Sequence, residues 1–524
     1  MYLNSQDGYN NFMESVADDI YVDKSMIINI ISSRINKRSK YLCITRPRRF
    51  GKSEITYLLE SYYSRAVNSK EIFDTLAISD TPNYQTHLNK YNVIKIDFSN
   101  VDTTANTYDG YIGRITKFLS RDLETTYKDI DLTDITEVAD KLNIINQITG
   151  EKFIFILDEW DFIFNKNLYA GEQEKFLEFL RNLLKGRSYV SLCYMTGILP
   201  IKKHSTGSEL NMFSEFSFFK DKTFDTLYGF TEKEVKKLCE TNFNISYNEM
   251  AYWYNGYTTA SGNKIFNPRS VVEALSNNDC QSYWTNVGAL NEVVEYLKLD
   301  TTGVIEDVIK MINSESIPIL IKREFRAGSK IPQNREEIYS AMITWGFLSY
   351  SNDEVRIPNN ELMIEFELAL TEDCFGDVAQ IISNSNDMLV ATLNQDSDRV
   401  AQIIHDIHNC EIPILKYTDE NSTSCVLTLA YLSARNKYRI EREEKSGKGF
   451  VDFVFHPKNN LDIPIIVELK RNSNTQVALN QILEREYAKK YIKQYQKDIL
   501  IVAINYSDKN KTHSCEIQKI KYER

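Results

Sequence analysis

The chain has 524 residues, 42% of them hydrophobic and 26% charged, with a formal net charge of −11. This length predicts several globular domains, and the composition argues against long disordered linkers. The net negative charge excludes a uniform basic coat for binding nucleic acid, although a local basic patch is compatible with it.

The cysteines and histidines indicate neither disulfides nor a classical zinc site. The eight cysteines are scattered without a C-x-x-C spacing, which is typical of a reduced, intracellular protein. His405 and His408 lie three residues apart on a predicted helix and could hold a metal, but a surface or core pair is the commoner arrangement. The N-terminus has no secretory pattern, and no apolar run is long enough to cross a membrane. We therefore predict a cytoplasmic protein without membrane contact, a nuclear protein being the alternative.

An arginine-rich loop follows the apolar run 41–44 and precedes a helical pattern that starts at Glu54. Its residues are Arg46, Pro47, Arg48, Arg49, Phe50, Gly51, Lys52 and Ser53. Strand, loop and helix in this order are the context of a phosphate-binding loop, where backbone N–H groups and the helix dipole face phosphate oxygens. Lys52 would reach the β/γ-phosphates, and Ser53 would ligate Mg²⁺. Arg46 replaces the first glycine of G-x-x-x-x-G-K-[ST], so the loop alone fits a basic surface turn equally well.

Three further apolar strands are predicted at 93–99, 152–157 and 189–195, with a helix at about 108–127 between the first two. Strands that alternate with helices predict an α/β domain with a mostly parallel sheet. The strand at 152–157 is continuously apolar, which is typical of a strand covered on both faces.

Two acids, Asp158 and Glu159, directly follow the strand at 152–157. This position is the carboxyl edge of the sheet, where ligands bind in such folds. Asp158 would hold the Mg²⁺ of a nucleoside triphosphate, and Glu159 would orient or deprotonate the attacking water. Taken alone the pair fits an acidic turn equally well, but together with the phosphate-binding loop it favours an NTPase. Thr196, at the end of the next strand, would sense the γ-phosphate or is an ordinary strand-end threonine.

The middle of the chain carries no chemical constellation. Residues 216–290 predict a smaller, mainly helical part, in which Thr231 and Glu234 form a capping box at the start of a helix. Residues 291–400 predict a helical region with one hairpin at about 345–359.

The C-terminal third contains a second charged motif on two predicted strands, 450–455 and 464–470. Asp452 lies in the first strand, and Glu468 and Lys470 share one face of the second. Burying such charges costs on the order of several kcal/mol unless they pair or bind an ion. The two carboxylates would hold Mg²⁺ for phosphodiester cleavage, and Lys470 would orient the nucleophile or neutralise the transition state. A structural ion pair across the hairpin is the alternative.

Neighbouring residues would complete this second site. Glu443, or else Glu441, would add a metal ligand from the preceding segment. The helix predicted at 476–483 carries Gln481, and Tyr487 follows it. Both could meet nucleic acid or the metal, and both fit an ordinary helix surface equally well.

With both motifs, the chain resembles AAA-like ATPases fused to a C-terminal PD-(D/E)xK nuclease-superfamily domain. The N-terminal resemblance, from about Tyr21 to Trp284, is carried by residues 21–24, 46–53, 157–159, 196–197, 253–257 and 267–268. The loop R-P-R-R-F-G-K-[ST] is typical of that family, which accounts for Arg46. The C-terminal resemblance, over about 400–510, is carried by Glu443, Gly447, Gly449, Asp452, Glu468, Leu469, Lys470 and 478–487. Phe450 and Trp160 depart from the usual residues, at positions without a proposed catalytic role.

The resemblance implies ATP binding and hydrolysis, Mg²⁺, and nucleic acid as a partner, DNA rather than RNA. It implies that Arg46, Arg48, Arg49 and Phe50 belong to the ATP-binding loop, with the arginines contacting phosphates or a neighbouring subunit of a homo-oligomer.

The expected architecture is an α/β P-loop NTPase core with a mostly parallel sheet and a helical lid, then a helical linker and an α/β restriction-endonuclease-like domain. The expected boundaries are 1–215 for the core, 216–290 for the lid, 291–400 for the linker and 401–524 for the nuclease-like domain. Two alternatives stay open at this point. One is an ATP-switched scaffold whose C-terminal domain binds nucleic acid without cutting it. The other is a signalling NTPase that recruits proteins.

Overall fold

The structure is a computed structural model that divides into two compact units. It describes residues 1–101, 107–201, 209–241, 244–284, 289–299, 303–408, 420–446, 449–484 and 487–522. The first unit comprises Met1–Trp284 and Pro318–Leu362, and the second comprises Thr285–Ile317 and Met363–Arg524. The predicted linker, 291–400, is therefore shared between the two units, and the four-part division stays a prediction.

The centre of the first unit is a five-stranded parallel sheet. Its strands are β1 (Tyr41–Thr45), β2 (Asn92–Asp97), β3 (Phe153–Asp158), β4 (Val190–Gly197) and β5 (Ser214–Phe216). They are ordered β2-β3-β4-β1-β5, and every pairing is parallel. β1, β3 and β4 are buried along their whole length, as expected for strands covered on both faces. The predicted parallel α/β sheet is confirmed. The half-buried β5 was not predicted, because three residues are too few to show a period.

Nine helices of the described chain precede or connect these strands. They are α1 (Asp7–Ala17), α2 (Ile27–Ser32), α3 (Lys52–Tyr63), α4 (Lys70–Phe73), α5 (Tyr84–His87), α6 (Tyr108–Thr126), α7 (Val138–Thr149), α8 (Phe162–Asn165) and α9 (Gln173–Leu184). Apolar side chains of α2 and α3 form one core with those of β1, β3 and β4. Thr107 caps α6 by accepting a hydrogen bond from the Gly110 N–H at 3.2 Å, and the helix begins where the sequence predicts it.

A smaller helical part with its own core follows the large sheet. Its elements are β6 (Phe230–Thr231), α10 (Glu232–Glu240), α11 (Tyr247–Tyr254), β7 (Tyr257–Thr258), β8 (Lys264–Phe266) and α12 (Pro268–Asn277). The predicted capping box is present: the Thr231 hydroxyl accepts from the Glu234 N–H, and the Glu234 carboxylate accepts from the Thr231 N–H at 2.7 Å. The antiparallel sheet β6-β8-β7 was not predicted, because its strands are only two or three residues long.

The chain then passes through the second unit and returns to the first. The passage consists of α13 (Ala289–Lys298), α14 (Val304–Ile312) and β9 (Ile317–Pro318); the returning segment contains α15 (Arg335–Trp345), β10 (Ser349–Ser351) and β11 (Glu354–Arg356). Gly346 ends α15 with φ +90°, and a Cβ there would lie 2.7 Å from the Cβ of Pro47. Gly256 has φ +132°, and a Cβ there would lie 1.6 Å from the carbonyl oxygen of Pro358. Both close approaches are contacts between the returning segment and the rest of the first unit.

The second unit is built on a mixed five-stranded sheet. After α16 (Asn360–Ala369), which spans the boundary, its elements are α17 (Asp377–Ser383), α18 (Ser385–Leu393), α19 (Ser397–His408), α20 (Glu420–Ala430), β12 (Tyr438–Ser446), β13 (Gly449–Pro457), β14 (Ile465–Arg471), α21 (Thr475–Glu484), α22 (Tyr487–Tyr495), β15 (Ile499–Ser507) and β16 (Thr512–Ile520). The strands follow their sequence order, with β14 and β15 parallel and the other pairs antiparallel. Residues of α21 and α22 pack on the sheet in one core. The predicted hairpin is thus confirmed as β13 and β14.

Among the helices that the structure describes, none is both long and apolar enough to cross a lipid bilayer. The seven cysteines in the described ranges form no disulfide.

Candidate functional site

The loop between β1 and α3 has the backbone of a phosphate-binding loop. Gly51 precedes the first residue of α3 with φ +81°, and Arg49 also adopts a left-handed φ, +67°. A Cβ on Gly51 would meet no atom within 4 Å, so backbone conformation rather than space favours glycine there. The loop therefore turns directly into the N-terminus of α3, where N–H groups without helical partners can face an anion.

Lys52 is held inside this loop. Its side chain is only 5% exposed, and its ammonium donates to the carbonyl oxygen of Pro47 at 3.1 Å and lies 4.0 Å from Oε1 of Glu159. The lysine thus spans the loop and the acid that follows β3. A phosphate entering the loop would offer this cation stronger hydrogen bonds than a neutral carbonyl does.

Asp158 meets Ser53 at the end of β3. The Ser53 hydroxyl donates to the Asp158 carboxyl group, which also accepts from the Glu159 N–H at 2.9 Å. Burial, followed by the charges of Glu159 and Asp97, raises the pKa of Asp158 to about 6. Asp97 pairs in register with Asp158 from β2 and was not among the predicted site residues. A hydroxyl beside a buried carboxyl is a donor set that fits the Mg²⁺ of a nucleoside triphosphate.

Glu159 lies beside this pair in a position that solvent can reach. It has a left-handed φ of +48°, and its side chain is 26% exposed. The turn directs the carboxylate toward Lys52 rather than continuing the strand. Its location is suited to the predicted role of base, which stays a prediction.

Arg46, which the resemblance places in the ATP-binding loop, is buried among protein groups. Its guanidinium pairs with Asp221, both side chains being 1% exposed, and donates to the carbonyl oxygens of Thr45 and Phe216 at 2.8 Å. It also lies 4.8 Å from the ring centre of Tyr228. These groups surround the cation inside the fold and give Arg46 a structural role, while its predicted contact with phosphates or a neighbouring subunit stays a prediction.

The side chains of Arg48 and Arg49 lie on tryptophan rings. The Arg48 guanidinium is 4.6 Å from the ring centre of Trp345, and that of Arg49 is 4.8 Å from Trp284. Arg49 also donates to the carbonyl oxygen of Tyr283 at 3.1 Å, and burial lowers its pKa. These contacts attach the loop to sequence-distant segments, and neither tryptophan was predicted as part of the site.

Phe50 and Thr196 are buried, and each has a packing role. The ring of Phe50 contacts that of Tyr257 edge-on, with the ring centres 5.1 Å apart. The Thr196 hydroxyl donates to the carbonyl oxygen of Ile44 at 2.8 Å. The predicted γ-phosphate contact of Thr196 stays a prediction, and this hydrogen bond already explains the threonine.

Asp161 is a buried acid near the site that sequence reasoning missed. Its Oδ2 accepts hydrogen bonds from the N–H groups of Ile198 and Leu199 at 3.1 and 2.6 Å. Burial and the charge of Glu159 raise its pKa to about 6. A Cβ on Gly197 would lie 2.1 Å from Asp161 Oδ1, so this acid fixes the chain just after β4. The sequence contained one signal for Asp161, because it is the third acid within four residues, after Asp158 and Glu159.

In the second unit, Asp452, Glu468 and Lys470 come together as predicted. Phe453 pairs with Val467 across β13 and β14, which brings Asp452 level with Glu468. Asp452 Oδ2 accepts from the Leu469 N–H at 2.6 Å, and the Lys470 ammonium donates to Glu468 Oε1 at 3.0 Å.

Glu468 is the buried centre of this cluster. It is 2% exposed, and burial, followed by the charge of Asp452, raises its pKa to about 7. The side-chain amide of Gln481, on α21, donates to Glu468 Oε1. The other oxygen, Oε2, is buried without a hydrogen-bond partner among the described residues. A bare carboxylate oxygen next to a second carboxylate fits a divalent cation.

The other predicted ligands of this cluster are only partly defined. The side chains of Glu443 and Tyr487 lie outside the described part of the structure. The alternative ligand Glu441 pairs with Arg439 at 2.5 Å and lies 3.5 Å from His456 Nε2. These neighbours favour Glu443 as the third ligand, which stays a prediction.

No group of three or more histidine, cysteine or acidic side chains within the described ranges is arranged to hold a metal ion. His405 and His408 pack instead near His513, with ring centres 5.9 and 5.3 Å from it. The rings of these histidines are half-buried, which fits the alternative of a surface or core pair. Mg²⁺ in either unit would therefore need further oxygens, from a phosphate or from water.

Comparisons with known proteins agree with this division. Residues 8–206 match the family model of a predicted AAA-ATPase, and residues 419–516 match that of the PD-(D/E)XK nuclease superfamily. No curated protein matches the chain.

Two solved structures show weak likeness. A Walker-type ATPase of Pyrococcus abyssi is 14% identical, with 66% of this chain and 94% of that chain covered and a TM-score of 0.33. The ORC2 protein of Aeropyrum pernix is 11% identical, with 68% and 96% covered and a TM-score of 0.27. At these TM-scores neither structure supports an argument about function. The family models decide the classification: this chain joins an AAA-ATPase-like region to a region of the PD-(D/E)XK nuclease superfamily.

Proposed function

We propose that the first unit binds and hydrolyses ATP and that the second unit cleaves phosphodiester bonds of nucleic acid, DNA being the substrate, with Mg²⁺ in both sites. One observation carries the proposal: each unit groups a lysine with buried carboxyl groups at the position that its family motif occupies. Placing such charges together inside a protein is costly unless they have ligands to bind.

In the first unit, the nucleotide phosphates would replace the Pro47 carbonyl as partner of Lys52. Ser53 and Asp158 would hold Mg²⁺, which supplies positive charge at the β/γ-phosphates when bound. Glu159, which reaches solvent, would take a proton from the attacking water. Arg46 is omitted from these roles because its charge is used inside the fold.

In the second unit, Asp452 and Glu468 would hold Mg²⁺, which supplies charge neutralisation at the scissile phosphate when bound. Glu468 must lose its proton to do so, and the amide of Gln481 keeps its carboxyl group oriented. Lys470 would leave Glu468 to stabilise negative charge that develops on the phosphate.

The two activities can be tested on the full-length protein by ATP hydrolysis and by plasmid nicking in Mg²⁺ or Mn²⁺. Lys52→Ala is expected to abolish hydrolysis, and Asp452→Ala is expected to abolish nicking while hydrolysis continues. Exposed residues provide matched controls: Lys117→Ala in the first unit and Asp387→Ala in the second, whose side chains face solvent.

The comparison among variants also decides between the alternatives. Loss of nicking in Lys52→Ala would show that cleavage depends on ATP binding or hydrolysis. Nucleic-acid binding without nicking in either metal, by the wild-type protein, would refute the cleavage part and favour an ATP-switched binding protein. Full nicking by Asp452→Ala would refute the site assignment.

A further inference from the structure

The first unit contains a second candidate binding pocket. It has a volume of about 570 Å³ and is lined by residues from three segments, 218–222, 258–264 and 343–356. We refer to it as the basic pocket. Its volume lies in the range of pockets that hold small organic ligands, roughly 300–1,000 Å³.

The charged side chains among the described residues that line the basic pocket are cations: Lys220, Lys222, Lys264 and Arg356. Acidic residues contact the lining from outside it, because Asp225 accepts from Thr259 and Asp353 accepts from Tyr350. The Lys220 ammonium forms an ion pair with Glu324, its nitrogen lying 3.1 Å from Oε1. The lining therefore offers several cations to a negatively charged ligand.

Two of these cations converge on one hydroxyl. The Lys264 ammonium donates to Thr258 Oγ1 at 2.7 Å, and the Arg356 guanidinium donates to the same oxygen at 3.1 Å. Burial and the neighbouring charge of Arg356 lower the pKa of Lys264, although Glu232 opposes this effect. Like charges held this close are costly without an anion between them.

Aromatic rings lie beside the cations. Phe219 and Tyr350 are half-buried pocket residues whose ring centres are 5.8 Å apart. Phe218 also lines the pocket and packs against Phe50 of the phosphate-binding loop, 5.7 Å between ring centres. Partly exposed rings next to lysine and arginine are the combination that binds the bases and phosphates of single-stranded nucleic acid.

We propose that the basic pocket binds a nucleotide unit of single-stranded nucleic acid, with its phosphate on Lys222, Lys264 and Arg356 and its base against Phe219. The ligand class deepens the proposed function, because it gives the ATPase-like unit its own contact with the nucleic acid. The site is separate from Asp452 and Glu468, so binding here does not require cleavage.

The test uses full-length protein in EDTA, where metal-dependent cleavage cannot occur, and a fluorescent 12-nucleotide thymidine oligomer followed by anisotropy. We expect the double variant Lys222→Glu/Lys264→Glu to bind about tenfold more weakly or worse, and Lys117→Glu, which reverses an exposed charge on α6, to bind like wild type. Melting curves establish that the variants are folded. Phe219→Leu keeps apolar bulk without a ring, and its affinity should fall about fivefold or more, because base stacking is worth about 1–3 kcal/mol per base.

Salt dependence gives a second readout. For single strands the logarithm of the binding constant falls by about 0.7 per phosphate contact for each tenfold rise in salt concentration, so every contact that is lost makes the salt dependence shallower. The double variant should therefore show the shallower slope.

Unchanged oligomer affinity in the double variant would overturn the inference. Binding of the mononucleotide dTMP or of inorganic phosphate as tightly as the oligomer would also overturn it, by making the ligand a free anion. Asp387→Ala, at an exposed residue of the second unit, should bind the oligomer like wild type. If wild-type protein binds the oligomer but does not nick plasmid, the proposed cleavage is refuted and this site is not.

Discussion

Replacing Arg46 distinguishes a structural arginine from a phosphate-binding one. Arg46→Met removes the cation but keeps most of the side-chain volume, and it leaves Asp221 buried beside Tyr228 without its ion-pair partner. Removing one partner of a buried pair costs about 3–5 kcal/mol. Asp221 keeps hydrogen bonds from the N–H groups of Thr223 and Phe224, so we expect the lower half of that range.

The assay pairs thermal unfolding with the binding of a fluorescent ATP analogue. At about 2–4 °C per kcal/mol for a domain of 150–250 residues, 3 kcal/mol lowers the midpoint by roughly 6–12 °C, and by less in this larger unit. Below the midpoint, nucleotide affinity should stay within about threefold of wild type. Arg46→Met combined with Asp221→Asn keeps the acceptor oxygen but removes the buried charge, and should recover most of the stability. A large loss of nucleotide affinity with unchanged stability would refute the structural role.

Three further outcomes are expected. Gly256→Ala should lower the unfolding midpoint by an amount equivalent to about 1–3 kcal/mol or more, because its Cβ would meet the Pro358 carbonyl at φ +132°. The control Gly113→Ala places a Cβ on α6 that would have no described neighbour within 4 Å beyond the helix backbone, and it should be neutral or stabilising. Equal losses of stability in the two variants would contradict the close packing of Gly256. Binding of Mg²⁺-nucleotide should weaken as pH falls through about 6, where Asp158 takes up a proton. If the measured Kd of Asp158→Asn depends on pH in the same way as that of wild type, the titrating group is not Asp158. The pKa of Glu468 is raised to about 7 from the ordinary 4.5, so the folded state retains a proton that the unfolded state releases between these values. The stability of the metal-free protein should therefore fall as pH rises across that window. Glu468→Gln should lack this contribution, so its unfolding midpoint should change less with pH. The same pH dependence in Glu468→Gln as in wild type would contradict the raised pKa of Glu468.

The sequence predicts the parts of the site that lie at strand ends. The end of β3 places Asp158 beside Ser53 because parallel strands bring their carboxyl ends to one edge, and alternation in β14 places Glu468 and Lys470 on one face. These relations follow from local periodicity and from the order of strands and helices.

What the sequence could not give depends on long-range packing. The ring beneath Arg48 is Trp345, almost 300 residues along the chain, in a segment expected to be linker. The approach of Gly346 to Pro47 leaves no periodic signal. The partner of Arg46, Asp221, lies 175 residues along the chain, so the sequence does not show that this charge is already paired. Pairings of this kind are set by the tertiary structure rather than by neighbouring residues.

The most direct test is nicking of supercoiled plasmid by full-length protein, with Glu468→Gln alongside and ATP hydrolysis measured in the same samples. We predict that wild type nicks in Mg²⁺ and not in EDTA, and that Glu468→Gln, which keeps the shape of the side chain but loses its negative charge, hydrolyses ATP without nicking. Equal nicking by Glu468→Gln, or none by wild type in either Mg²⁺ or Mn²⁺, would contradict the assignment of the second unit as a metal-dependent nuclease.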